Sequence, residues 1–251
     1  MKRQHLFTGI CGLLAAITSV AAPKKPVVVL RNGERRAARS IEAVAGGGIK
    51  IEDSNGQSMT LKPGRYKEAY VPEPRQVDAL EKALERKEYD SVIKFAPLAS
   101  QKFGVLGWGD KIAYLEGSAY LAKKLPEKAA AAFARGKVFK GTYFTYGDEL
   151  ARGRVLAMLA LGKLDSVRAD LDTMVRSRRK ADAAMALNAR GQILAKEGKS
   201  KEAVLEYLKT LLLFDSGDKG VAPFRDEARK QVVALMRKMG DPKWRMFVDM
   251  E

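Results

Sequence analysis

Residues able to carry nucleophilic, acid–base or metal chemistry are scarce in this chain, and their placement matters more than their number. Cys11 is the only cysteine and His5 the only histidine among 251 residues. Both sit in an N-terminal stretch laid out like a secretory signal. Lys2 and Arg3 precede an apolar run from Leu6 to Ile17, and Ser19-Val20-Ala21 puts small or tolerated residues at the cleavage positions. The run is short for a membrane span. Cleavage is expected after Ala21, giving a signal over residues 1–21, because Pro23 directly after the cleaved bond would hinder a peptidase acting after Ala22. The alternative is an uncleaved inner-membrane anchor. A lipoprotein signal is rejected, since Cys11 follows Ile10 in mid-run. Without this stretch the chain has neither thiol nor imidazole, which removes disulfides, cysteine nucleophiles, histidine bases and ordinary zinc sites. A carboxylate pair or a Ser–Lys arrangement remains open. No paired acidic motif stands out, so a carboxylate-based cell-wall enzyme is the weakest reading. No cofactor and no metal is expected.

Charge is the second chemical resource. The formal net charge is +16, or +14 without Lys2 and Arg3. Such an excess attracts acidic surfaces: anionic lipid, envelope polymers, acidic proteins or nucleic acid. Aromatic residues are not interleaved with the basic clusters, which argues against a nucleic-acid groove. Arg176, Arg178, Arg179 and Lys180 form one cluster, able to hold an acidic segment or phosphate groups, or else a solvated loop. Arg31, Arg35, Arg36 and Arg39 form another, read as charge guarding strand edges. Gly46-Gly47-Gly48 fits neither a phosphate-binding loop nor a dinucleotide fingerprint and reads as a glycine turn.

These residues need elements to position them. Residues 22–71 have period-two patterning: Val27 to Leu30, then Ile41, Ala43 and Ala45, then Ile49 and Ile51, then Met59 and Leu61. Asn32-Gly33, Asn55-Gly56 and Pro63-Gly64 punctuate them, and Asn-Gly between alternating runs is a strong hairpin signal. The expectation is an antiparallel meander of four or five strands, or an SH3-like barrel, packed against the helices that follow. Residues 72–75, with Pro72-Glu73-Pro74, form a stiff linker. Helical patterning covers residues 76–251.

Within that region Ala186 to Phe214 is the best-defined segment. Leu187, Gly191 and Leu194 share one helical face, and Ala203, Tyr207 and Leu211 share another. Gly198 is suited to end the first helix and Ser200 to cap the second. Equivalent breaks fall at Lys87, Lys124, Gly162 and Gly198, spaced by 37, 38 and 36 residues. Gly117, Tyr120, Ala129 and Phe133 occupy the slots later filled by Gly191, Leu194, Ala203 and Tyr207. Val155, Met158, Val167 and Leu171 fill them in the third unit without Gly or Ala. Trp108-Gly109-Asp110 and Tyr146-Gly147-Asp148 precede successive first helices, with Asp able to accept backbone N–H bonds. The polar loop Asp215 to Gly220 follows the fourth unit. A helix over Pro223 to Met239 and a short apolar-faced helix over Lys243 to Met250 would close a truncated fifth unit, or expose a partner-binding face.

This pattern, including Lys87-Glu88-Tyr89-Asp90 at a hairpin turn, resembles tetratricopeptide repeats, whose unit is about 34 residues. The usual Trp of the first helix and Pro of the unit end are missing. The resemblance implies a mainly α, α+β chain: a right-handed α-solenoid of TPR-like hairpins behind a small β-module. It implies a concave face lined by first helices, here Lys111, Tyr114, Ser118, Glu149, Arg152, Asn188 and Gln192, that binds a peptide or protein and carries no chemistry. The expected function is therefore a non-catalytic, exported scaffold of the cell envelope, in the bacterial periplasm or secreted. The alternative is a protein that binds an anionic polymer or lipid surface.

Overall fold

A computed structural model describes residues 23–139, 146–163 and 165–248. The signal-like residues 1–21 lie outside the described residues. The chain is mainly helical, with two small antiparallel sheets at its start. It divides into two compact units, one ending at Ala157 and one beginning at Met158. Residues 72–75 lie inside the first unit.

Six strands form the β-module. They are β1 (Val27–Leu30), β2 (Arg35–Ala37), β3 (Ser40–Val44), β4 (Gly48–Glu52), β5 (Ser58–Leu61) and β6 (Tyr66–Tyr70). One sheet has the order β2-β1-β6 and the other β3-β4-β5. The second sheet follows the expected meander order, whereas the first does not, and the strands number six rather than four or five. β6 returns to pair with β1, setting Val28 opposite Ala69. The alternation read through Ala45 stops at Val44, because Ala45–Gly47 turns as a 3-10 segment with positive φ at Gly46 and Gly47. β2 is an exposed edge strand. Its Arg36 is paired with Glu34 at 2.7 Å, consistent with charge guarding an edge.

About 45 residues bury little core alone. Val28, Ile41, Ile49 and Ile51 share one apolar cluster with Val77, Leu80, Val92 and Ala96 of the helices. The joint is further pinned by the Trp108 indole N–H, which donates to the Val71 carbonyl at 3.0 Å.

The helices are α1 (Arg75–Glu85), α2 (Tyr89–Phe103), α3 (Gly109–Ala122), α4 (Pro126–Gly136), α5 (Gly147–Ala160), α6 (Arg168–Val175), α7 (Lys180–Lys196), α8 (Ser200–Leu213) and α9 (Ala222–Lys238). Lys87, Lys124, Gly162 and Gly198 all have left-handed φ, between 59° and 79°. Each donates its N–H three residues back, and the next residue donates five back, as Lys124 does to Leu121 and Leu125 to Tyr120. This paired closure satisfies two orphan carbonyls of the first helix. Gly240 repeats it after α9. The helix α8 starts without the expected Ser200 side-chain cap: Lys199 is the cap residue, and no side chain bonds there.

The tail forms a 3-10 segment, Pro242–Phe247, rather than an α-helix. Trp244 and Phe247 pack on the cluster shared by α8 and α9.

Candidate functional site

The first helices α3 and α7 each meet the second helix of their own hairpin at a glycine. A Cβ on Gly117 would lie 2.5 Å from the Phe133 ring, and one on Gly191 would lie 2.8 Å from the Tyr207 ring. The third unit fills the equivalent slots without Gly or Ala; its Gly153, one half-turn before Val155, instead faces the Phe133 ring of the preceding hairpin. Phe133, fully buried, thus lies against glycines of α3 and α5. Close approach of these helices brings their inward residues together.

Five of the seven expected groove residues gather there. Lys111, Tyr114 and Ser118 stand on α3, and Glu149 and Arg152 on α5. Lys111 is only 7% exposed. Its ammonium donates to Glu73 and to Glu81 at 2.7 Å each. Burial alone would pull the Lys111 pKa down; the two carboxylates outweigh it and hold the pKa above its ordinary value. The same ammonium lies 5.6 Å from the Trp108 ring centroid. The Tyr114 and Tyr146 rings stack with centroids 5.4 Å apart. Burial raises the Tyr114 pKa, while its hydrogen bond with Ser118 and the charge of Arg152 work the other way. Burial also lifts the Tyr146 hydroxyl to about 12.

Asp110 ties this region together. One carboxylate oxygen accepts the Lys111 N–H at 2.8 Å, and the other accepts the Tyr146 N–H at 3.1 Å. Burial raises its pKa, opposed by these backbone bonds. Tyr146, the aromatic of the second triplet, packs on Tyr114 of the preceding hairpin. Trp108, the aromatic of the first, packs on Tyr70 of β6, with ring centroids 5.8 Å apart.

The other two groove residues lie in the unit beginning at Met158. Asn188 is engaged within the fold. Its amide N–H donates to the Phe224 carbonyl at 2.8 Å, and its oxygen accepts from Thr210 at 2.8 Å. Gln192 is half-buried on the same helix, α7. Of the basic cluster, Arg176 and Arg178 are exposed. The Arg179 N–H donates to the Ser177 hydroxyl at 3.1 Å, and Lys180 approaches Asp218 at 3.8 Å.

Sequence reasoning missed Glu73, Glu81 and Asp110 as inward-facing partners. A signal was present. The hydrogen bonds Trp108–Val71, Lys111–Glu73, Tyr146–Asp110 and Asn188–Phe224 span 37, 38, 36 and 36 residues, close to the spacing of the hairpin breaks.

Chemically the α1–α3–α5 face is a set of charges, tyrosines and a serine. It can donate and accept hydrogen bonds. Among the described residues, no group of three or more metal-ligating side chains converges. None of their helices is long and apolar enough to cross a membrane. Comparison with protein-family models, curated proteins and solved structures finds no match.

Proposed function

We propose that the chain is a non-catalytic interaction scaffold built from TPR-like helical hairpins, which holds a peptide or protein partner on the face shared by α1, α3 and α5. The observation that carries this reading is the convergence of Tyr114, Ser118 and Arg152 over a braced floor. Lys111 with two carboxylates and Asp110 with two N–H groups hold that floor in place. Preorganised polar groups on rigid helices suit recognition of an extended main chain, because little side-chain freedom is lost on binding. The matching closures after α1, α3, α5, α7 and α9 support repeated hairpins stacked as a solenoid. The leader-like residues 1–21 support action in the cell envelope.

Crosslinked pull-down from the native envelope tests the reading. The unsubstituted chain should capture a defined protein partner, and Arg152→Ala and Tyr114→Ala should each weaken capture at least about fivefold, a loss of about 1 kcal/mol. Equal capture by both variants, with folding intact, would remove the α1–α3–α5 face from consideration. Hydrolysis of cell-wall material by the purified chain, abolished by changing one carboxylate, would replace scaffold with enzyme.

A further inference from the structure

The end of the chain carries a surface that the α1–α3–α5 site does not use. Arg237 and Lys238 close α9, and Lys243 and Arg245 lie on the 3-10 segment after it. All four are exposed, and none forms an ion pair among the described residues. The Arg237 guanidinium sits 3.8 Å from the Trp244 ring centroid, and that of Arg245 lies 5.0 Å away. Trp244 is therefore a half-buried indole under a layer of positive charge. Apolar side chains accompany it in the open: Met246 is 68% exposed, Val248 46% and Met239 37%. Asp241, the acid within this stretch, accepts the Lys243 N–H at 2.9 Å.

We propose that this surface docks on an anionic lipid bilayer, with the four cations against headgroup phosphates and Met246 and Val248 entering the interface beside Trp244. Unpaired cations next to exposed apolar residues match the layered chemistry of such a surface. Each basic residue near anionic lipid adds to the attraction, and an indole with one wet and one apolar side favours the headgroup level. A soluble acidic polymer would complement the cations but leave the apolar residues in water. The 3-10 segment is too short to span a bilayer, so the association is peripheral.

The test uses the full chain with vesicles of phosphatidylcholine, with and without phosphatidylglycerol, read by co-sedimentation and tryptophan emission. The chain has two tryptophans, and Trp108 is buried, so a change on binding reports Trp244. Binding to the anionic vesicles with a blue-shifted emission is expected at about 0.1 M salt, where charges still act over about 10 Å. Reversing Arg237, Lys238, Lys243 and Arg245 to Glu should lower partitioning at least about tenfold. The milder pair Lys238→Gln and Lys243→Gln should lower it several-fold should the full reversal not fold. Met246→Ser should reduce the emission shift, and Trp244→Phe should abolish it. Reversing Arg176 and Arg178 instead should lower partitioning less than reversing Arg237 and Lys238 does. Equal binding to uncharged vesicles, parental binding by the charge-reversed chain, or binding without an emission shift would each overturn the proposal. Displacement by soluble polyphosphate, with no shift on vesicles, would make the surface a polymer site instead.

Discussion

Asp110 is a buried carboxylate whose two oxygens each serve a different backbone N–H, so its substitution separates hydrogen bonding from charge. Asp110→Ala leaves the Tyr146 and Lys111 N–H groups without this acceptor and should cost about 1–3 kcal/mol in urea unfolding. Asp110→Asn keeps the shape and removes the titration, with an amide NH2 in place of one of the two acceptors. Burial raises the folded pKa of Asp110 above its unfolded value. Its protonated form therefore favours the folded state, and that contribution is lost as pH rises through the folded pKa. Measured against Asp110→Asn, the parent should be relatively more stable at pH 4 than at pH 7. A flat difference, or the opposite sign, would show that the backbone bonds outweigh burial. The inward placement of Lys111 was implied by the register of the repeat the chain resembles. Its engagement by Glu73 and Glu81 was not, because α1 meets α3 only through tertiary packing. Asn188 shows the same limit: its register pointed inward, but only the fold reveals that Phe224 and Thr210 already engage its amide.

Hairpin geometry makes two predictions at the scale of elements. Lys124 holds a left-handed conformation with φ of 59°, unfavourable for a residue with a Cβ. Lys124→Gly should therefore stabilise the chain by about 0.5–1 kcal/mol, after the greater freedom of glycine in the unfolded chain is counted. Gly117→Ala should do the reverse, costing about 1–3 kcal/mol as its methyl meets the Phe133 ring. Phe133→Leu in the same chain should recover part of that loss. A double-mutant cycle with strictly additive effects would show that the two residues do not press on each other. The hairpin breaks at Gly162 and Gly198 were legible because glycine is a local signal for a left-handed closure, whereas those at Lys87 and Lys124 lack it and followed from the repeat spacing. The strand β6 was not legible as the partner of β1. Tyr66–Tyr70 lacks a clear apolar alternation, and its pairing spans the whole module. The Gly153 contact escaped notice because the slots were aligned on Val155, whereas crossing helices approach wherever a small residue faces a large ring.

At the scale of the whole molecule, a net charge of +16 ensures some attraction to any acidic surface, so binding alone says little. Salt separates specific from diffuse contact. A partner held by hydrogen bonds and apolar contact at Tyr114 and Arg152 should remain in 1 M salt, where screening shortens to about 3 Å. Vesicle association through Arg237, Lys238, Lys243 and Arg245 should fall steeply over the same range. Loss of both together would point to the overall charge rather than to either surface.

The loops at Gly162, Gly198 and Gly240 open onto empty space: a side chain added at any of them would find no neighbour within 4 Å. A cysteine placed there would carry a small label pointing away from the packed helices, at the cost of a side chain in a left-handed conformation. The chain thus offers attachment points for a label outside its packed core.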